Sequence, residues 1–159
     1  MKFKKLVVFT ILLLVFTSGF SQNWLTDFET AKEVAKEENK KIILVFSGSD
    51  WCAPCIKLEN EIWKSEDFKS FSSENYVLLR ADFPRRKKNA LSQQMQEHNN
   101  QLAAKYNKNG YFPLVVVLDK QGKILGETGY IKTTPKNYIK RDTSHQIQFQ
   151  VMKLVQNQY

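Results

Sequence analysis

The chain has 159 residues, two cysteines and a formal charge of +8, enough for one ordinary domain with a single core. That modest positive surplus favours acidic partners and does not by itself imply nucleic acid, which is not expected as a partner. Nothing in the chain is low-complexity or internally repeated.

The first element is a leader. Met1-Lys-Phe-Lys-Lys5 is basic, Leu6 to Phe16 is apolar, and Gly19-Phe20-Ser21 supplies small residues. These are the three parts of a secretory signal peptide, with cleavage expected after Ser21. An uncleaved membrane anchor is the alternative, but the apolar run is short against the roughly 20 residues a span needs. The expected division is therefore a signal peptide over 1–21 and one domain over 22–159, placed in the periplasm or secreted. Lys2, Lys4 and Lys5 leave with the leader, so the remainder carries about +5.

Asn23 to Asn39 reads as an amphipathic helix, with Thr26 or Asp27 as its cap. Lys41 to Phe46 is a continuous apolar run, the pattern of a strand buried on both faces. Ser47 to Asp50 is a loop. From Cys52 to Trp63 the apolar residues fall three and four apart, so a helix is expected. Tyr76 to Ala81 is a second strand, and Asp82-Phe-Pro84 leads into the basic run Arg85-Arg-Lys-Lys88. Asn89 to Tyr106 reads as a helix with Met95 and Leu102 in the core, stopped by Asn107 to Gly110. Leu114 to Leu118 and a strand beginning at Lys123 form a hairpin across Lys120-Gln-Gly122. Ile147, Val151, Leu154 and Val155 mark a last helix with Thr143 and Gln146 as its capping box. Tyr130 to Asp142 has no assigned structure. Strands separated by helices need crossovers, so the expected fold is α/β, with a mainly parallel core closed by the hairpin and about four strands flanked by helices.

Both cysteines lie in Ser49-Asp-Trp-Cys-Ala-Pro-Cys55. A structural staple is a weak reading, because a three-residue separation closes a very small loop and removes little unfolded-state entropy. A structural zinc wants four ligands, and this pair supplies two. His98 and His145 are distant and not at paired spacing, so each is read as a surface or capping imidazole. No metal is expected, though a two-coordinate copper(I) site stays open. A redox pair fits the location. Cys52 falls where a loop becomes a helix, and free N–H groups and a positive dipole there favour a thiolate. Cys55, one turn on, is placed to attack a mixed disulfide formed at Cys52. Pro54 has no N–H to lose at an early helix position.

Trp51-Cys52-Ala53-Pro54-Cys55, directly after a buried strand and opening a helix, resembles the active site of the thioredoxin superfamily. Tyr111-Phe112-Pro113 before a strand matches the family's cis-proline position. Lys120-Gln-Gly-Lys123 matches its hairpin turn, and Gly126 and Gly129 suit the hairpin's far side. The similarity covers Phe28 to Gly129 and is of the secreted bacterial kind, with Glu59-Asn-Glu-Ile-Trp63 and Asp82-Phe-Pro84. It implies a thioredoxin-like fold with Cys52 as attacking thiolate and Cys55 as resolving thiol. Trp51, Ala53, Pro54, Phe112 and Pro113 would dock the substrate, with the Phe112–Pro113 bond cis. No cofactor is implied beyond the Cys52–Cys55 disulfide itself.

The chain departs from thioredoxins proper at three places. Phe46 stands where they carry a buried aspartate, Asn60 where they carry a helix proline, and the dipeptide is Ala-Pro. Glu59, four residues after Cys55 and seven after Cys52, is the candidate for moving the proton of Cys55. Its alternative reading is a solvated helix carboxylate. The basic run 85–88 reads as a solvated turn, with steering of acidic partners or contact with anionic lipid as functional alternatives. The function expected is an exported protein-disulfide oxidoreductase, a monomer acting on protein thiols and disulfides. Pro54 favours the reducing direction, which requires a membrane partner supplying electrons. The alternative is a non-catalytic binding or chaperone module of the same fold, or a copper-handling protein.

Overall fold

A computed structural model of the chain describes residues 22–141. The leader, His145 and the helix expected around Ile147 to Val155 lie outside the described residues.

Five strands make one sheet. They are β1 (Trp24–Leu25), β2 (Lys41–Ser47), β3 (Tyr76–Asp82), β4 (Leu114–Leu118) and β5 (Ile124–Thr128), in the order β1-β3-β2-β4-β5. β1 and β2 run parallel to β3, while β4 runs antiparallel to both β2 and β5. β2 and β4 are central, which is why their sequences are unbroken apolar runs and not alternating ones. Ile42, Leu44 and Phe46 face one layer with Leu114, Val116 and Leu118. Ile43 and Val45 face the other with Val115 and Val117.

Helix α1 (Phe28–Glu37) and helix α4 (Gln93–Tyr106) cover the first face through Phe28, Ala31, Ala35, Leu102 and Tyr106. The second face is covered by helix α2 (Ala53–Leu58), the π-helical turn Glu59–Trp63 that continues it, and helix α3 (Glu66–Asn75). Leu58, Ile62, Trp63 and Phe68 pack there. Leu102 thus takes its expected place in the core, whereas Met95 is only partly buried.

The structure departs from the sequence reading at four places. The first helix starts at Phe28, not Asn23. Trp24 and Leu25 instead pair with Leu78 and Leu79, and the period-two geometry of a strand puts Trp24 against one core layer and Leu25 against the other. Asp27 then caps α1, accepting from the Thr30 N–H at 2.7 Å. Second, the helix from Cys52 takes in one extra residue. The Lys64 N–H donates to the Glu59 carbonyl at 3.0 Å, a five-residue closure that three-and-four spacing does not reveal.

Third, α3 was not foreseen. It is short and polar, with Phe68 and Ser72 buried, and its start is marked only by Ser65, whose hydroxyl accepts from the Phe68 N–H at 3.2 Å. Fourth, α4 begins at Gln93, not Asn89, because Ser92 is the cap and Lys87–Asn89 form a separate 3-10 turn. The segment from Tyr130, left unassigned by the sequence, contains helical residues 135–141. Its Tyr138 packs edge-on to Trp63 with ring centroids 5.6 Å apart.

The hairpin is fixed by Asp119, whose carboxylate accepts from the Gln121 and Lys123 N–H groups. Gly122 sits at φ +87°, where a side chain is strained, and a Cβ there would lie 3.0 Å from both Phe28 Cζ and Tyr106 Oη. The Tyr106 hydroxyl donates to the Gly122 carbonyl at 2.8 Å in a buried bond. Tyr106→Phe leaves that carbonyl unpaired, and its expected cost is about 1–3 kcal/mol in urea-denaturation free energy.

Candidate active site

β2 and β3 run parallel and in register, with Ser47 opposite Asp82. The loops that leave their C-terminal ends therefore start side by side, the place where parallel sheets present their binding groups. The two loops are laced together. Phe83 N–H donates to the Ser47 carbonyl at 2.8 Å. The Ser49 N–H and hydroxyl donate to the Asp82 carboxylate at 2.9 and 2.5 Å. The Asp50 carboxylate accepts from the N–H groups of Arg85 and Arg86 and from the Asn89 amide, at 2.8 to 3.0 Å. Helix α4 joins the lacing where the buried Asn99 amide donates to the Asp82 carbonyl at 2.9 Å.

Trp51 is held by this scaffold. Its indole N–H donates to the Phe83 carbonyl at 2.7 Å. Its ring lies over Gly48, where a Cβ would come within 2.3 Å of the indole. The Arg85 guanidinium stacks over the ring at 3.7 Å, and the Phe112 ring lies 5.4 Å away. Phe83 in turn meets Phe112 edge-on at 5.4 Å. Trp51, Phe83 and Phe112 thus form one aromatic group, and Trp51 is the chain neighbour of Cys52.

Cys52 and Cys55 are joined by a disulfide with their Cα atoms 5.2 Å apart. Both are 4% exposed. Cys52 is the N-cap of α2, fixed by its N–H to the Gly48 carbonyl at 2.9 Å, and its sulfur accepts from the Cys55 N–H at 3.2 Å. Pro54 sits in the first turn of the helix, where a missing N–H is tolerated. Ala53 and Pro54 are exposed beside the sulfurs. The Phe112–Pro113 bond is cis. Pro113 is buried and immediately precedes Leu114, the partner of Phe46, so it is level with the end of β2 from which the cysteine loop departs.

Glu59 lies one helical turn past Cys55 and is partly buried. Its carboxylate pairs with the Arg80 guanidinium at 2.6 Å, and that guanidinium also stacks over Trp24 at 4.4 Å. Phe46, at the position of the thioredoxin aspartate, is fully buried in the apolar layer with Ala81 and Leu114. His98 is a cap, its ring nitrogen accepting from the Phe28 N–H at 3.2 Å at the start of α1. Among the described residues, no group of three or more His, Cys, Asp or Glu is arranged to hold a metal ion, and no helix is long and apolar enough to cross a membrane.

The sequence reading named the cysteines, Trp51, the dipeptide and the proline loop, and the structure brings these together. It missed the roles of Asp50, Ser49 and Arg85. Their signal was present only as two separated stretches, 49–50 and 82–89, with nothing in local spacing to link them. It also missed Ile56, which is 42% exposed one residue beyond Cys55.

Comparison with known proteins agrees with this geometry. A thioredoxin-like family model matches residues 23–120. The disulfide bond reductase DsbH of Chlamydia pneumoniae is 37% identical over 103 residues, 65% of this chain and 60% of that relative. The thioredoxin-related protein DsbJ of the same organism is 24% identical over 67% of this chain and 30% of its own length. The chain thus matches less than two thirds of either relative. A solved structure described as DsbH oxidoreductase superposes with a TM-score of 0.72 and 32% identity, covering 79% of this chain and 85% of that one.

Two outcomes follow from the loop geometry. Gly48→Ala displaces Trp51 from its bond to Phe83, with an expected loss of about 1–3 kcal/mol on urea denaturation and an altered near-ultraviolet circular dichroism spectrum. The Asp50 carboxyl is held below the ordinary aspartate value of 3.8, first by the Arg85 N–H bond. A lowered value means the tie is intact above pH 3.8 and is lost as pH falls through the folded-state value. The amide NMR resonances of Arg85 and Arg86 should therefore titrate together, with a midpoint below 3.8.

Proposed function

The chain belongs to the thioredoxin-like family, and from that membership and its cysteine geometry we propose an exported thiol–disulfide oxidoreductase that reduces disulfides in proteins. The observation that carries the reading is the Cys52–Cys55 pair itself, with Cys52 as a helix N-cap in a chain whose Phe112–Pro113 bond is cis.

In the reduced protein, a Cys52 thiolate occupies the position where the Cys55 N–H already points at sulfur. That hydrogen bond and the helix N-terminus favour the charged form. The thiolate attacks one sulfur of a substrate disulfide, forming a mixed disulfide and expelling the first substrate thiolate, which takes up a proton. Cys55 then loses its proton and attacks Cys52, closing the Cys52–Cys55 bond and releasing the second substrate thiol. Two electrons pass from the cysteine pair to the substrate. The state described here, with the disulfide closed, is the product of that cycle. A dithiol donor must then return the electrons. In an exported protein this donor is expected to be a membrane partner, and the signal-peptide character of residues 1–21 supports that placement.

Trp51, Ala53, Pro54, Phe112 and Pro113 form the docking surface in this proposal. Phe112 offers backbone to an extended substrate, and the exposed Ala53 and Pro54 leave the approach to Cys52 uncluttered. Pro54 supports the reducing direction through family resemblance. Glu59 is proposed to assist deprotonation of Cys55, from its place one turn further along the helix. Its pairing with Arg80 holds the carboxylate in place between helix and sheet.

The deciding experiment is the reduction potential of the Cys52–Cys55 pair against glutathione. A value near about −270 mV supports a reductase, and one near about −180 to −120 mV points to an isomerase or oxidant. A pair forming no reversible disulfide defeats the catalytic reading in favour of a binding module or a copper carrier. Cys55→Ser should accumulate mixed disulfides with protein substrates through Cys52, visible on non-reducing gels and absent in Cys52→Ser. Glu59→Gln should slow release of the mixed disulfide by at least about tenfold, with an altered pH profile. Wild-type rates across pH would remove Glu59 from the mechanism.

A further inference from the structure

The run Arg85-Arg-Lys-Lys88 is not a distant solvated turn. It begins three residues after the end of β3 and is fastened to the active-site loop through Asp50, which accepts the N–H groups of both arginines. The Arg85 guanidinium covers one face of Trp51, and Trp51 adjoins Cys52 in the chain. The first of four consecutive positive charges therefore lies against the neighbour of Cys52, the other three follow it directly in the chain, and all four residues are exposed.

The charge is not consumed by local ion pairs. Among the described residues, none of these four side chains is within ion-pair distance of a carboxylate. The nearby carboxylates are committed elsewhere. Asp82 is taken by Ser49, and Asp50 is taken by backbone and amide N–H groups, with the Arg86 guanidinium acting on it only through space. The loop thus spends its acidic groups on holding the basic segment in place. On the cysteine helix itself, Ile56 is 42% exposed just past Cys55.

We propose that residues 85–88 select the substrate: the site prefers extended polypeptide segments carrying acidic side chains beside their disulfide. This rests on the oxidoreductase reading and names its substrate class. An acidic residue flanking the substrate cysteine meets the Arg85 and Arg86 side chains as the cysteine passes over Trp51. Charge complementarity of this kind raises encounter rates and orients the approach, and it is weakened by salt.

The test uses protein purified after processing in the expressing cell, with its Cys52–Cys55 disulfide first reduced to the dithiol by excess dithiothreitol that is then removed. Its substrates are three synthetic peptides, each closed by one disulfide with the same cysteine spacing and flanked by aspartates, serines or lysines. Reduction rates are measured at low and at high ionic strength. At about 20 mM salt the acidic peptide should be reduced at least about tenfold faster than the basic one, with the ratio falling to within about twofold at 0.5 M. In Arg86→Ser/Lys87→Ser/Lys88→Ser, which keeps the backbone tie to Asp50 and the Arg85 stack, the low-salt ratio should fall to about threefold or less, the remainder belonging to Arg85. Circular dichroism checks that this variant is folded.

Equal wild-type rates on acidic and basic peptides, with the serine peptide still reduced, would overturn the selection and leave the oxidoreductase reading standing. A low-salt preference above about threefold in the triple variant would overturn it too. So would equal peptide rates accompanied by salt-sensitive retention on phosphatidylserine vesicles, which would assign the run to lipid. Failure to reduce any of the three peptides would overturn the oxidoreductase reading, and the selection with it.

Discussion

The in-register parallel pairing of β2 with β3 is the constraint on which the rest of the site depends. It sets Ser47 beside Asp82, so two loops far apart in sequence leave the sheet as neighbours. The loop that leads to the cysteines is tied across that junction by the Ser49–Asp82 bonds, the Asp50 bonds to residues 85, 86 and 89, and the Trp51–Phe83 bond. A one-residue slip would turn every β3 side chain to the other face and separate the partners. The slip is disfavoured by the core, because Val77, Leu79 and Ala81 fill one layer while Tyr76 and Leu78 fill the other.

The two faces of the sheet serve the site differently. The first layer, with α1 and α4, is closed and apolar right up to Phe46, Leu114 and the Phe112 ring. It fixes the proline loop and gives no ionisable group to the cysteines. The second layer, beneath α2, carries Arg80 on β3 paired with Glu59. The chain thus keeps a charge in the neighbourhood of its cysteine helix, but on the helix and not in the preceding strand. The ion pair is only partly buried, so its net effect on stability is modest, and its interest lies in the orientation it gives the carboxylate.

How much of this was legible in the sequence follows from which signals are local. The central strands were readable because burial on both faces writes itself as an unbroken apolar run, as in Lys41 to Ser47 and Leu114 to Leu118. The cysteine helix was readable because the Cys-x-x-Cys spacing follows such a run directly. The two-residue strand Trp24–Leu25 was not, since a pair of apolar residues next to a helix continues the helical pattern until a partner strand claims it. Nor was α3, whose burial rests on Phe68 and Ser72 alone. The lacing of Asp50 to residues 85–89 is long-range, and no period or motif announces it. The basic run could be seen, but not that it is folded back against Trp51.

The sheet's outer margins have a meaning of their own. On one side the margin is β1, only two residues long. On the other, the pairing of β5 with β4 is interrupted by an irregularity at Val117 and Leu118. Short or irregular margins offer a poor template for an additional strand. A protein that meets partly opened, cysteine-bearing chains would be exposed to uncontrolled strand addition along its flanks. Here the flanks discourage it, and on the proposed reading backbone contact with a visiting chain would fall at the loop before β4. On that reading, the same economy of edges that keeps the molecule from sticking to its clients would direct them to the cysteine pair.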